Sequence, residues 1–273
     1  MKLQINGTAA YAYTGGKTFD SALPCVVFIH GALNDHSVWT LLARSFAHHG
    51  HSVLAVDLPG HGRSGGLPLN DVEALAGWIW ALLDAAGVER AALVGHSMGS
   101  LIALEAAGQQ PSRATHLVMV ATAYPMKVSD ALLTTARDAP LAAIDLVNNF
   151  SHSSWAAKPS FPGPGAWLHG GARALMRRMQ ARQTAVNLFA HDFGVCDAYA
   201  GGLEAAVRVT CPASLILGAR DQMTSPKQTA GLQSALKARV FSLPAGHALM
   251  AEAPDQALLA LRQTISSAAL SNS

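Results

Sequence analysis

Apolar positions in this chain fall into short continuous runs separated by longer stretches of helical period. The runs are Cys25–Ile29, Ser52–Val56, Ala91–Val94, His116–Ala121, Ala213–Leu217 and Arg239–Leu243. All but His116–Ala121 are followed by a loop and a helix-length segment: Ser37–His49, Asp71–Ala86, Met98–Gln110, Pro226–Leu236 and Pro254–Ser267. Continuously apolar strands alternating with helices predict a mostly parallel central sheet with helices on both faces. Pro226 and Pro254 sit where a helix begins, since a first-turn residue needs no N–H, and Ser225 is a candidate N-cap. Ahead of the alternation, Asn6-Gly7 lies between Lys2–Ile5 and Ala9–Thr14, the pattern of a tight β-hairpin.

The alternation breaks between Tyr124 and Val207. Helical patterns at Asp130–Arg137, Leu141–Phe150, Gly171–Arg182 and Ala185–Val195 surround the Pro/Gly/Trp-rich stretch Trp155–Gly171. The expected organisation is therefore an α/β core, 1–123 and 208–273, with a helical cap inserted at 124–207. Composition agrees with one large buried core, because 50% of the 273 residues are apolar and 13% charged, which excludes disorder. A formal net charge of +2 gives no electrostatic reason to bind nucleic acid or an anionic membrane. The longest apolar run, Ala74–Leu83, is far short of the ~20 residues of a membrane span. Met1–Gly7 has no apolar leader, so a cytoplasmic location is expected. Cys25, Cys196 and Cys211 are far apart and lack C-x-x-C spacing, which predicts reduced thiols and no zinc site.

In parallel α/β sheets chemistry gathers beyond the carboxyl ends of the strands. After Ala91–Val94 comes Gly95-His96-Ser97-Met98-Gly99, then a helix. Glycines flank Ser97 because a sharp strand–turn–helix leaves no room for neighbouring side chains, and the turn exposes its Oγ. The Met98 N–H, at the helix N-terminus, is a candidate oxyanion donor. A serine hydroxyl needs a base. Of twelve histidines, His247 follows the last strand, just before the final helix. His48, His49 and His51 read as a helix-end cluster, while His36, His152, His169 and His191 stay ambiguous, the last three as possible pocket residues. Asp221, beyond Leu217-Gly218-Ala219-Arg220, could orient the base; Asp57 competes, but Asp57-Leu58-Pro59-Gly60-His61-Gly62 suits a turn. The loop at His30-Gly31 is positioned to supply a second oxyanion N–H, assigned to Ala32 with Leu33 as the other choice.

With these pieces, His30-Gly31, Asp57 to Ser64, Gly95 to Gly99, Leu217 to Asp221, Gly246-His247 and Glu252-x-Pro254, the chain resembles the α/β-hydrolase fold superfamily in its esterase/lipase-like, capped branch. The resemblance implies a Ser97 nucleophile, an Asp221 orienting acid, a His247 base, oxyanion donors at Ala32 and Met98, and no cofactor or metal. It implies a small-molecule ester as partner and a monomer or homodimer. Relatives that cleave alkyl halides or epoxides carry Asp where this chain has Ser97. Many C–C hydrolases have Trp after the histidine, where Ala248 stands. The loop also lacks the extra glycines of the HGGG type.

Leu33, Trp155, Phe161, Trp167, Phe189 and Phe193 are the expected pocket, suited to an uncharged acyl or aryl ester. Arg173, Arg177, Arg178 and Arg182 share a helix and could receive an anionic substrate, although a solvated face accounts for them better. A C–C hydrolase, a perhydrolase or a receptor-like binding protein on the same fold are the other readings.

Overall fold

In the computed structural model, which describes residues 1–153 and 167–265, eight strands among the described residues form a sheet in the order β1-β2-β4-β3-β5-β6-β7-β8. β1 (Lys2–Ile5) and β2 (Thr8–Tyr13) are an antiparallel hairpin, and β2 pairs antiparallel with β4 (Ser52–Asp57). Asn6 and Gly7 both have positive φ, 50° and 78°, as the right-twisting two-residue turn requires. β4, β3 (Cys25–Ile29), β5 (Ala91–His96), β6 (Ala114–Val120), β7 (Ala213–Gly218) and β8 (Arg239–Leu243) run parallel.

Helices cover both faces, which is why the central strands lack alternation. Val27, Ile29 and Leu93 pack with α2 (Val72–Ala85) and α3 (Met98–Gln109) through Leu75, Ile79 and Leu101. Val26, Phe28 and Val94 point the other way, toward α1 (Thr40–Ala47) and the last helix, Pro254–Ile265, through Leu42, Phe46, Ala257 and Leu261. Caps fix the starts. Asp71 accepts the Ala74 N–H at 2.6 Å ahead of α2, and Asp35 accepts the Ser37 N–H ahead of a 3₁₀ turn, His36–Trp39, that leads into α1.

Between β6 and β7, four helices pack together: α4 (Asp130–Asp138), α5 (Pro140–Ser151), α6 (Leu168–Arg182) and α7 (Leu188–Ala198). Ile144, Leu175, Met179, Leu188 and Phe189 form their shared core with Leu33 of the β3 loop. A fifth helix, α8 (Gly202–Arg208), was not separated by periodicity. It ends the 124–207 stretch but packs on α3, with Ala205 and Ala206 in the sheet-side core. Its contact is close: a Cβ on Gly108 would lie 2.9 Å from Ala205 O. Tyr124 Oη donates to Ala200 O and accepts the Gly202 N–H at 3.0 Å, tying the stretch's entry to its exit. No helix among the described residues is long and apolar enough to cross a membrane.

Candidate active site

β5 ends at His96 and α3 starts at Met98, so Ser97 alone makes the turn, with φ 52° and ψ −121°. A non-glycine residue there is strained by about 1–3 kcal/mol and persists only if its surroundings over-determine it. The flanking glycines do so by necessity. A Cβ on Gly95 would lie 1.9 Å from Gly99 O, and one on Gly99 would lie 2.4 Å from Ile29 O. The Ser97 N–H donates to Val120 O at 2.9 Å, anchoring the turn on β6. Met98, first residue of α3, has an N–H with no intrahelical acceptor.

Asp221 lies in the turn after β7. Its Oδ1 accepts the N–H groups of Met223 and Thr224 at 2.8 and 2.9 Å. Its Oδ2 accepts Thr224 Oγ1 at 2.7 Å and His247 Nδ1 at 2.9 Å. Burial opposes ionisation, yet His247 and the Thr224 hydrogen bonds outweigh it and hold the carboxyl below its ordinary range. The Nδ1–H tautomer this sets leaves His247 Nε2 with a free lone pair. The loop carrying His247 is itself held: His96 Nε2–H donates to His247 O at 3.0 Å, and Glu252 accepts the Gly246 N–H at 3.1 Å.

Ser97, Gly31, Ala32 and His247 line one cavity of about 350 Å³. Among the described residues no hydrogen bond joins Ser97 Oγ to His247. In unliganded sites such contacts are commonly long and tighten around substrate. A second cavity, about 490 Å³, meets the first at Asn34, His96, Ser151, Met176 and His247 and is further walled by Val38, Leu41, Leu175, Ala248 and Met250. No Asp, Glu, Lys or Arg among the described residues borders it.

Several expected pocket residues are placed elsewhere. Leu33 and Phe189 are fully buried in the α4–α7 core and border neither cavity, because each fills the space between the inserted helices and the β3 loop. Phe193 lines the smaller cavity and Trp167 the larger. Trp155 and Phe161 lie outside the described residues. The two oxyanion choices also separate: the Leu33 N–H is consumed by Asp192 Oδ2 at 2.9 Å, whereas Ala32 stands on the cavity wall.

The remaining candidates resolve as structural groups. His30 is neutral, with Nδ1–H donated to Gly31 O and Nε2 accepting the Leu58 N–H; burial lowers its pKa to about 4. Asp57 accepts the N–H groups of His36 and Arg63 at 2.8 and 2.7 Å and the His36 ring at 2.7 Å, which is turn chemistry. A Cβ on Gly62 would lie 2.3 Å from that carboxylate. Arg173 and Arg177 both bond Asp145, and Arg178 reaches Asp35 at 3.2 Å, so three of the four helix cations are already paired. Asp35, His36 and Asp57 are the one group among the described residues whose ligand atoms could converge on a metal. Those atoms are engaged with each other, with Ser37 and with backbone amides.

Sequence reasoning missed two participants. Thr224 braces the Asp221–His247 pair, its Oγ1 lying 3.1 Å from His247 Nδ1. Asp192 of α7 bonds His61 and the β3 loop from inside the protein. Thr224 lies only three residues after Asp221, a spacing that suits an Asx-type turn; nothing local marks Asp192.

Residues 24–162 match the family model described as alpha/beta hydrolase fold. The chain belongs to this family. The solved structures of an enol-lactonase from Burkholderia xenovorans LB400 and of an esterase from Exiguobacterium antarcticum share the α/β-hydrolase fold. The first has a TM-score of 0.78 at 22% identity, covering 98% of this chain and 100% of that one. The second has 0.80 at 16%, covering 96% and 98%. By sequence, the chain is 32% identical to the mouse sn-1-specific diacylglycerol lipase ABHD11 over 135 residues, 49% of this chain and 44% of the lipase. The chain spans less than half the length of the curated relatives it matches first.

Proposed function

We propose that this α/β hydrolase is a serine hydrolase of small-to-medium, mainly apolar carboxylic esters. The carrying observation is His247, fixed by Asp221 on one nitrogen and lining the cavity that Ser97 and Ala32 also line. Ser97 Oγ attacks the ester carbonyl while His247 Nε2 takes its proton. The carbonyl becomes an oxyanion held by the Ala32 and Met98 N–H groups. His247 then protonates the departing alcohol, and water, deprotonated by His247 in turn, releases the acid and regenerates Ser97. The helices α4–α7 serve as the cap over this site.

The two cavities divide the substrate. The acyl group must touch Ser97 and Ala32, which border the smaller cavity and not the larger. The alcohol receives its proton from His247, which borders both, and so occupies the larger cavity. With no Asp, Glu, Lys or Arg among the described residues of its wall, that cavity favours a neutral, bulky alcohol over an anionic one. The enol-lactonase and the esterase among the structural neighbours belong to the same reaction class.

A fluorophosphonate probe tests the reading. Wild type should be labelled, and Ser97→Ala should not. Folded wild type that resists labelling and fails to turn over p-nitrophenyl esters would overturn the proposal.

A further inference from the structure

Asp192 lies 95 residues beyond Ser97 in sequence, on α7, and is almost wholly buried, with 1% exposure. Its Oδ2 accepts two hydrogen bonds at 2.9 Å, from the Leu33 N–H and from His61 Nε2. Its Oδ1 faces His191 Nδ1 at 3.2 Å. Three elements thus converge on one carboxylate: helix α7, the loop after β3 and the turn after β4. Leu33 needs such an anchor, because it sits at φ 54°, in the left-handed region that side chains disfavour. The Asn34 side chain also donates to Ala32 O at 3.2 Å, so both polar groups of the Ala32–Leu33 peptide are held.

His61 has an unusual setting. Nε2 faces the Asp192 carboxylate and Nδ1 faces Pro59 O at 3.0 Å. Both partners only accept, so both ring nitrogens must donate, and the ring is an imidazolium. Burial disfavours that charge, but Asp192 outweighs it and raises the His61 pKa. The charge keeps Asp192 ionised, and an ionised carboxylate is the stronger acceptor for the Leu33 N–H.

We propose that Asp192 is a positioning residue for the oxyanion site: by holding the Leu33 N–H away from the cavity, it fixes the peptide that turns the Ala32 N–H toward it. This rests on the serine-hydrolase reading above. Because Asp192 belongs to α7, the inserted helices take part in building the oxyanion site as well as covering it.

The test compares Asp192→Leu with Asp192→Asn, using a short p-nitrophenyl ester and a trifluoromethyl ketone that mimics the oxyanion. Loss of one oxyanion donor lowers kcat by about 10²–10³-fold. Asp192→Leu should lose about 10²-fold in kcat, change KM less than about threefold, and weaken the ketone in proportion to kcat/KM. Asp192→Asn keeps an acceptor oxygen and should recover kcat to within about fivefold. A folded Asp192→Leu with wild-type kcat and ketone affinity overturns the proposal, as does a loss confined to KM. Equal damage in both variants overturns it too, since the acceptor would then not be what matters. If Asp192→Leu does not fold, replacing the Leu33 amide by an ester removes only that N–H. The same selective kcat loss is expected, and unchanged kcat refutes it. Wild-type turnover that vanishes in Ser97→Ala keeps the underlying reading separate from this outcome.

Discussion

Two buried aspartate–histidine pairs, each joined at 2.9 Å, stand in this molecule: Asp221–His247 and Asp192–His61. In both, a carboxylate holds one imidazole nitrogen. They differ in what meets the other nitrogen. His61 Nδ1 faces a backbone carbonyl, so the ring is saturated with acceptors and carries a fixed charge. His247 lines the cavity shared with Ser97, and its second nitrogen has no hydrogen-bond partner among the described residues. A base needs an unshared lone pair beside its substrate, so the aspartate alone does not make one. The carboxylates differ in parallel: Asp221 is tied within its own turn by Met223 and Thr224, while Asp192 ties distant elements together.

The sharpest break of this comparison is to remove each ring. His247→Ala should lower kcat by about 10⁶-fold, because nucleophile and base act as a unit. Asp221→Asn should cost about 10⁴-fold by permitting the wrong tautomer. His61→Gln retains a donor to Asp192 and should cost under about 10²-fold. Steady-state kinetics on one ester, with labelling of Ser97 to count intact sites, ranks the three. Similar losses for His61→Gln and His247→Ala would erase the distinction.

The difference between the pairs also separates what was readable in the sequence from what was not. The sheet was legible because β3 to β7 are short runs buried at all but one position each in β6 and β7, and the Asn6-Gly7 hairpin because its turn needs those residues. Ser97 was legible through its flanking glycines, and Asp221 and His247 through their positions after the last two strands. All three signals are local. Asp192 and His61 lie 131 residues apart, and their contact exists only once α7 has docked on the core. Leu33 and Phe189 look like pocket residues by type and position, yet they fill the seam between the inserted helices and the β3 loop. Type alone does not say which side of a seam a side chain occupies. α8 escaped because Gly202–Arg208 is too short to establish a period.

A second prediction uses pH. The His61 pKa is raised above its ordinary 6.5, and Asp192 is held below 3.8, where His61, His191 and the Leu33 N–H overcome the cost of burial. The Asp192 contribution is therefore present above pH 3.8 and lost as pH falls through its folded value. The His61 contribution is present below pH 6.5 and lost as pH rises through its folded value. The groups facing this pair are Asp57, His30 and His191. His30 and His96 have depressed values, about 4 and about 3, chiefly through burial, and so weaken the fold below pH 6.5 in the wild type. The stability gap between wild type and Asp192→Asn should be widest near pH 6, up to about 3 kcal/mol, and shrink toward pH 9. Urea unfolding across that range measures it. A gap that stays constant or grows with pH would mean His61 is neutral.

The smallest expected effect bears on what the open nitrogen of His247 serves. Gly171 lies on α6, borders the larger cavity, and has no described residue within 4 Å of where a Cβ would stand. Leucine there enters open space and suits a helix better than glycine by about 0.8–1 kcal/mol, so Gly171→Leu should not weaken the fold. It should fill the cavity assigned to the alcohol and leave Ser97, Ala32 and the smaller cavity untouched. Displacing a medium-sized apolar group by a few methylenes costs about 1–3 kcal/mol, or about 5–150-fold. kcat/KM should fall by about tenfold for esters of bulky alcohols and stay within twofold for methyl esters of the same acid. Lengthening the acyl chain should leave the ratio of variant to wild type unchanged, because that chain lies on the other side of His247. A ratio that falls with acyl length instead would exchange the two cavities' roles while leaving the contrast between His247 and His61 intact.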